Sequence, residues 1–266
     1  PISHYFRQNF SQVTNPPIDS LRENKVMSLK TRFGNLGNIL DFENLTKENI
    51  YVLDSPILTN SQLKKFKNIF YEKIKIIDCT FDLKDNLKNR LDQIKDESEV
   101  AVRQGANHLI LSDQNISEQR ANVPMILAVG AVNSNLVQHS IRGYASINVQ
   151  TSEAMDTHSF AILIGVGATT INPYLAIDSI RQRYEKKLFG KSDFETCVSR
   201  FKKSIDAGLL KIMSKMGISV ISSYRGGCNF EAVGLSRAIV SDYFPGMSSR
   251  ISGIGIIGIE KKIKEL

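Results

Sequence analysis

The chain has 266 residues, 42% of them hydrophobic, and a formal net charge of +7 at neutral pH. This length and composition suffice for one large domain with a sizeable core. Three cysteines are too few for a small disulfide-stapled scaffold. No stretch is apolar and long enough to span a bilayer, and no basic then apolar leader opens the chain. We therefore expect a soluble protein with no membrane partner.

The excess of positive charge is dispersed. Lysines alternate with acidic residues, as over residues 83–99 and 181–191, and no block of like charge contains interleaved aromatic residues. This pattern predicts no nucleic-acid partner. Cys79, Cys197 and Cys228 are far apart in sequence, and none lies in a CxxC pair or beside a histidine at metal-ligand spacing. They are expected to be buried free thiols, with no metal site.

Residues 1–41 show little periodicity but contain several aromatic residues and prolines, which is typical of an irregular arm that packs on other structure. Within it, Pro16 and Pro17 fix their own φ angles and restrict the residues before them. Thr14 and Asn15 therefore present a hydroxyl and an amide on a stiff backbone. An ordinary surface turn is the alternative interpretation.

From residue 50 onward, strand patterns alternate with helix patterns, and Gly105 and Gly217 end two of the helices. Helices are predicted over 61–72 with Asn60 or Ser61 as cap, over 83–104, from Pro124 to a break by Gly143, and over 174–188, 194–216 and 230–243. Strands are predicted over 50–53, 74–77, 108–111, 146–151 and 218–221. Periodicity does not decide between helix and strand for the apolar run 160–166.

The alternation predicts an α/β fold with a mostly parallel sheet of about six strands and flanking helices. It does not distinguish an open sheet from a degenerate barrel. The expected organisation is an N-terminal arm over residues 1–41 and an α/β domain over residues 42–266. In such folds the functional loops follow the strands.

Nucleotide, phosphate, metalloprotease and hydrolase signatures are absent from the sequence. His158 with Glu153 and Asp156 could form an acid/base group, although a surface or capping role is the alternative. Asp78 and Asp113 each follow a predicted strand, where α/β enzymes often keep functional carboxylates, and helix capping is the alternative.

A glycine-containing turn follows the strand predicted over 218–221. Its Arg225, Gly226 and Gly227 offer a guanidinium and backbone amides, so they form a weak candidate anion site. A turn without a ligand is the alternative, because glycine pairs commonly mark turns.

Several long strings of the chain resemble the central domain of the large subunit of glutamate synthase. They cover residues 5–29, 109–114, 127–147, 158–176, 208–236 and 243–255, and so reach nearly from end to end. The chain departs from the family pattern at Gln114, at 133–135, at 153–159 and at 225–232, where positive or titratable groups are lost. These departures put an anion-binding role of the loops in doubt.

The resemblance implies the joining, ammonia-channelling part of an enzyme that converts glutamine and 2-oxoglutarate to two glutamates. It implies no cofactor in this chain, and FMN and an iron–sulfur cluster in the full-length enzyme. The implied partners are amidotransferase and FMN-binding domains of the same polypeptide, with an NADPH-linked small subunit or ferredoxin as the electron source. The implied location is the cytoplasm or the plastid stroma.

By the same resemblance, the ammonia tunnel passes near Gln12, Val13, Thr14, Asn15 and Ile18, and no catalytic residue is expected in this chain. Two other functions stay open from the residues alone. One is a free-standing barrel-like enzyme or binding module for a phosphorylated small molecule bound at 225–227 and His158, which would need a closed barrel and a pocket at the strand ends. The other is an interaction module with a basic surface, which would need its lysines on one face.

Overall fold

The computed structural model describes residues 1–10, 16–33, 51–227 and 229–265, and these form an α/β fold with flanking helices. The N-terminal part contains β1 (Phe6–Gln8), α1 (Glu23–Val26) and β2 (Thr31–Phe33). The first half of the α/β part comprises β3 (Tyr51–Leu53), α2 (Asn60–Ile69), β4 (Ile74–Asp78), β5 (Thr80–Asp82), α3 (Leu87–Arg103), β6 (His108–Ser112), β7 (Arg120–Asn122) and α4 (Met125–Gln138).

The second half comprises β8 (Ser146–Gln150), α5 (Thr157–Gly165), β9 (Thr170–Asn172), α6 (Tyr174–Glu185), α7 (Phe194–Lys215), α8 (Ile221–Tyr224), β10 (Phe230–Leu235), α9 (Arg237–Tyr243), β11 (Ser248–Ile254) and α10 (Ile256–Lys264). Most predicted elements are thereby confirmed within a few residues. The predicted α/β class is confirmed as well.

The central sheet has four parallel strands in the order β4-β6-β8-β9. Its register places Ile76 beside Ile110, Ile110 beside Asn148 and Asn148 beside Thr170. A single parallel bridge from Ile57 to Ile171 extends the β9 edge. The described strands do not close into a barrel. The closed barrel that a free-standing barrel enzyme would need is therefore not found among them.

The two faces of this sheet are covered differently. Leu109, Leu111, Ile147, Val149 and Ile171 point into the main core, which they share with the helices α3, α4 and α5. On the other face, a smaller cluster joins Ile110 to apolar side chains of α2 and of the segment before it, namely Leu58, Leu63 and Phe66. The strands β6, β8 and β9 are buried on both faces, so an alternating pattern underestimates their burial, whereas the edge strand β4 keeps Lys75 and Ile76 exposed.

A second sheet, in the order β1-β10-β11, joins the N-terminus to the C-terminal part. The single helix predicted over 230–243 is wrong: β10 occupies its first half and α9 its second. Phe230, Ala232 and Leu235 of β10 are buried. Gly234 has a φ of +87°, which no right-handed helix contains. Ser236 then accepts a hydrogen bond from the amide of Ile239 and starts the helix anew.

The strand predicted over 218–221 is also wrong. Val220 makes only an isolated bridge to Ser28, and α8 begins at the next residue. This short helix buries Ile221 and Tyr224 completely, which a strand at this position would not do. The undecided run 160–166 belongs largely to α5, whose N-cap is Asp156. Every residue from Ser159 to Gly165 is buried, which explains why the run has no polar face.

Two helix starts differ from the prediction. The cap of α2 is Thr59, rather than Asn60 or Ser61, and it forms a reciprocal capping box with Gln62. The helix α3 begins at Leu87 rather than at residue 83, because Asn86 caps it. The residues before it make β5 and a turn in which the amide of Lys84 donates to Asp82.

Candidate functional site

Asp113 lies at the carboxyl end of β6 and is completely buried. Its carboxylate accepts hydrogen bonds from the Thr151 hydroxyl at 2.7 Å, the Ser152 amide at 2.9 Å and the Ser152 hydroxyl at 3.0 Å. Asp113 is therefore not a helix cap. It ties the end of β6 to the end of β8, at the edge of the sheet where ligands of α/β proteins bind.

Glu153 directly follows Ser152 in the chain, and its side chain lies at the N-terminus of α4. Its carboxylate accepts from the Asn122 side-chain amide at 2.6 Å and from the Met125 backbone amide at 2.9 Å. Burial raises the pKa of Glu153 to about 7, outweighing those two hydrogen bonds, and the nearby Asp113 adds to the rise. The carboxyl ends of β6 and β8 thus bring two carboxyl groups close together.

The raised pKa of Glu153 makes stability depend on pH. The proton is bound more tightly in the folded state, so its stabilising contribution is full below the ordinary value of 4.5 and is lost as pH rises through about 7. Between pH 5 and 8 we expect the wild-type chain to lose about 3 kcal/mol relative to Glu153→Gln. Urea unfolding at both pH values measures this difference. The exposed-carboxyl control Glu118→Gln should follow the wild type, and parallel pH profiles of wild type and Glu153→Gln would contradict the prediction.

The acid/base group considered for His158, Glu153 and Asp156 is not assembled by hydrogen bonds. His158 Nε2 lies 3.1 Å from the carbonyl oxygen of Ser3. Asp156 accepts from the Ser159 amide at 2.8 Å and caps α5. Glu153 is bonded to α4 and to the residue that ends β7, as described above. The capping alternative is therefore the right one for Asp156.

Asp78, at the end of β4, lines a polar cavity of about 320 Å³ together with Arg90 and Arg120. Its carboxylate accepts from the amide and the hydroxyl of Thr80, and Arg120 Nη2 lies 3.1 Å away. Arg90 pairs with Glu97 at 2.7 Å and also donates to the Asp78 carbonyl oxygen. Both arginines of the cavity are already paired with carboxylates, so the cluster fastens β4 to β7 and α3.

The sheet face opposite the main core carries a polar network that the sequence did not reveal. His108 Nδ1 lies 2.8 Å from the Ser146 hydroxyl, and the Thr170 hydroxyl donates to Asn148 Oδ1 at 2.6 Å. Burial lowers the pKa of His108 to about 4, so the ring is neutral at pH 7. Alternating polar residues in β8 predict solvent on one side, whereas α2 covers that side. These groups are satisfied within the fold.

The tunnel candidates Gln12, Val13, Thr14 and Asn15 lie outside the described residues, but the chain on either side is anchored. Before them, Gln8 accepts from the Tyr224 hydroxyl at 2.6 Å and donates to the Asn229 carbonyl at 2.9 Å. After them, the Ile18 amide donates to the Ser214 carbonyl near the end of α7 at 2.8 Å. Both anchors are main-chain or uncharged contacts.

The anion candidates form the turn after α8. Gly226 has a φ of +67°, and its amide donates to the Ile164 carbonyl near the end of α5. The Gly227 amide donates to the Tyr224 carbonyl, so neither amide is free for a ligand. Arg225 differs, because its Nε and Nη2 atoms are buried without an acceptor. The three residues are thus adjacent but do not form one amide nest.

Within the described ranges, no group of three or more His, Cys, Asp or Glu side chains could hold a metal ion. The two described cysteines, Cys79 and Cys197, are free and buried, and burial raises the pKa of the Cys79 thiol. These residues do not fit the ligand set of an iron–sulfur cluster. None of the described helices is both long and apolar enough to span a membrane.

Solved structures resemble the chain only weakly. A double mutant of flavocytochrome b2 with sulfite bound aligns over 68% of this chain and 43% of its own, with 9% identity and a TM-score of 0.44. The inosine 5'-monophosphate dehydrogenase of Legionella pneumophila aligns over 89% of this chain and 98% of its own, with 12% identity and a TM-score of 0.38. At such scores these likenesses carry no argument.

Sequence relatives are much closer. The glutamate synthase [NADPH] large chain of Azospirillum brasilense is 55% identical over 99% of this chain, which spans 18% of that relative's length. The corresponding large chain of Bacillus subtilis is 40% identical over 96% of this chain and 17% of its own length. The chloroplastic ferredoxin-dependent glutamate synthase of Spinacia oleracea is 40% identical over 94% of this chain, which spans 16% of that relative's length.

The family model for the glutamate synthase central domain matches residues 1–236. The match takes in the N-terminal arm, the four-stranded parallel sheet and β10. It agrees with the relatives, which cover this chain almost completely although the chain covers only a small part of each of them. The chain therefore belongs to the glutamate synthase central domain family.

Proposed function

We propose that this chain is the joining, ammonia-channelling domain of a glutamate synthase, the enzyme that converts glutamine and 2-oxoglutarate to two glutamates in ammonia assimilation. The observation that carries the proposal is the family match over residues 1–236, together with 55% identity to a glutamate synthase large chain. The chain spans less than a fifth of that relative. Most of the chemistry therefore belongs to other parts of the polypeptide.

In this proposal the chain contributes position rather than reactive groups. Amidotransferase and FMN-binding domains of the same polypeptide would carry glutamine hydrolysis and the reduction. The iron–sulfur cluster would lie outside this chain, whose described residues offer no ligand set for it. Relatives of both the NADPH and the ferredoxin type resemble the chain, so either electron donor is compatible with it. The cytoplasm or the plastid stroma would house the enzyme.

The N-terminal arm is the part that we assign to ammonia transfer, with residues 1–41 as the arm and 42–266 as the α/β domain. The proposed tunnel residues are Gln12, Val13, Thr14, Asn15 and Ile18. Two features support this assignment. Gln8 and Ile18, which flank the proposed tunnel residues 12–15, are each hydrogen-bonded to the α/β part, and Pro16 and Pro17 restrict the backbone just after those residues. A hydroxyl and an amide on such a segment can hydrogen-bond a passing ammonia.

The test uses Thr14→Ala and Asn15→Ala in the full-length enzyme. We expect glutamine hydrolysis to exceed 2-oxoglutarate-dependent glutamate formation, because ammonia leaves for bulk solvent when its passage is disturbed. The rate of glutamine hydrolysis divided by the rate of 2-oxoglutarate-dependent glutamate formation is about one in the wild type. We expect this ratio to rise roughly twofold or more in the variants, as for a modest loss of positioning. Ammonia release and glutamate formation measured on the same sample give this ratio.

The matched control is Arg7→Ala, which removes an exposed side chain from the same arm. This variant should keep the wild-type ratio. If both tunnel variants also keep the two rates coupled while folding normally, the arm does not channel ammonia. The domain assignment would then stand on the family match alone, and the channelling role would be withdrawn.

A further inference from the structure

The polar cavity beside the carboxyl end of β4 is lined by charged and polar groups that the fold leaves unused. Its volume is about 320 Å³, which falls at the lower end of the range of about 300 to 1,000 Å³ for small-molecule sites. Besides Asp78 and the two arginines, its lining includes the carboxylates of Asp82 and Asp85 and the amides of Asn89 and Gln93. These extra groups are not needed to fasten β4 to its neighbours.

Asp82 and Arg120 lie directly opposite each other on the antiparallel strands β5 and β7. Opposite charges in such a position are usually close enough to pair, because the two Cβ atoms are about 4.5 to 5.5 Å apart. Here Arg120 Nη2 turns instead to Asp78 at 3.1 Å and to the Thr80 hydroxyl at 2.8 Å. The Asp82 carboxylate accepts from the Lys84 amide at 2.9 Å. The two opposite charges therefore line one cavity without pairing with each other.

Both groups keep hydrogen-bonding capacity for a ligand. The Nε and Nη2 atoms of Arg120 make all the hydrogen bonds of this side chain within the described ranges, so Nη1 can still donate. Nη1 is not among the polar atoms that are shielded from solvent, and the side chain as a whole is 39% exposed. On Asp82, only Oδ1 accepts a hydrogen bond from the described part of the chain. A group that enters the cavity thus meets an accessible donor and an accessible acceptor.

The charge balance of the cavity favours a ligand with a positive group. Its two arginines are balanced by the carboxylates with which they pair. Within the described ranges, neither Asp82 nor Asp85 forms an ion pair. Lys264 donates to the main-chain carbonyl of Asp85 at 2.6 Å, but its own charge is paired with Glu260 at 2.8 Å. Two carboxylates therefore lack a counter-ion and attract a cationic group.

The accessible N–H groups of Arg120 Nη1 distinguish between classes of ligand. A simple amine would leave them unused, and a simple oxyanion would be repelled by the two unpaired carboxylates. The side chains do not suit a metal ion, because no group of three or more His, Cys, Asp or Glu residues in the described ranges could hold one. An α-amino acid carries an ammonium and a carboxylate on one carbon atom, so it can reach Asp82 and Arg120 together.

We propose that this cavity binds a free α-amino acid. The ammonium group of the ligand contacts the carboxylates of Asp82 and Asp85, and its carboxylate accepts from Arg120 Nη1. The amides of Asn89 and Gln93 line the same cavity and suit a short polar side chain such as that of serine. The inference does not rest on ammonia transfer, since none of these residues belongs to the N-terminal arm.

The test begins with equilibrium dialysis of the full-length enzyme against radiolabelled L-serine at constant ionic strength. Two unlabelled competitors separate the contacts, because ethanolamine lacks the carboxylate and glycolate lacks the ammonium. We expect each competitor to bind about tenfold or more weakly than serine, since each loses one charge-assisted contact. If either competitor binds as tightly as serine, or if serine does not bind, the proposal is overturned.

Variants then locate the bound serine. Asp82→Asn keeps an acceptor for the Lys84 amide while it removes the charge, and Asp85→Asn changes an exposed side chain, so both should fold normally. We expect the double variant to bind serine about tenfold or more weakly than the wild type does. The matched control is Asp96→Asn, which changes an exposed acid of α3 outside the cavity and should leave binding unchanged. Equal serine binding by all three proteins would place the amino acid elsewhere and contradict the assignment.

Discussion

Replacing Asp113 by alanine is expected to lower the free energy of unfolding by about 3 to 5 kcal/mol. The side chain is completely buried and accepts hydrogen bonds from Thr151 and from both the amide and the hydroxyl of Ser152. Alanine would leave these donors without their acceptor in a place that water does not reach. The ends of β6 and β8 would separate, and the loop that carries Glu153 would lose its anchor.

Urea unfolding of the chain measures the effect, with Asp178→Ala as the control. Asp178 is exposed on α6, so its loss should change stability by less than about 0.5 kcal/mol. Asp113→Asn keeps the shape but turns one acceptor into a donor, and it should fall between wild type and alanine. A loss below about 1 kcal/mol for Asp113→Ala would mean that the buried hydroxyls find other partners.

The second large effect is expected for Gly253→Ala. A Cβ atom at Gly253 would lie 2.6 Å from the carbonyl carbon and 2.8 Å from the Cα of Gly234 on the neighbouring strand. Backbone atoms cannot move aside as a flexible side chain can, and Gly234 already has a positive φ. The β10 and β11 pair, whose register shifts on both sides of Val233, would have to separate locally. We expect a loss of about 3 kcal/mol.

The control for this substitution is Gly143→Ala, because a Cβ atom there would have nothing within 4 Å. It should change the free energy of unfolding by about 0.5 kcal/mol or less. Amide hydrogen exchange adds a local readout. Gly253→Ala should speed exchange at β10 and at β1, while the four-stranded sheet keeps its protection. Equal unfolding midpoints for the two alanine variants would contradict the argument from close approach.

Long elements with clear boundaries were predictable from the sequence. The helix α3 ends before Gly105 and α7 before Gly217, and both glycines adopt positive φ angles, as the stop signals predict. The parallel strands β4, β6 and β8 were recognisable because each is a short apolar or alternating run between such helices. The start of α3 was predicted four residues too early, because the helical pattern of the sequence already begins at residue 83, whereas the Asn86 side chain caps the helix at Leu87.

The wrong predictions concern elements whose conformation depends on contacts with distant parts of the chain. Nothing near Phe230 in the sequence reveals that β1 pairs with it, so the helical spacing of this run predicts a single helix. The same holds for Val220, whose only strand-like contact is with Ser28. Local propensity cannot report contacts made across such separations. For the site, the position of Asp113 at a strand end was correct, but its Thr151 and Ser152 partners required the sheet register.

The pairing of β1 with β10 also constrains the order in which the chain can fold during its synthesis. Gln8 and Asn229, which share a hydrogen bond, are 221 positions apart. At ribosomal rates of 5 to 20 residues per second, the partner strand emerges roughly 10 to 45 seconds after the arm. Until then Phe6 lacks Phe230 and Phe244, the two aromatic rings that it contacts among the described residues. A nascent chain therefore pairs β1 with its partner strand only after nearly the whole of this domain has been made.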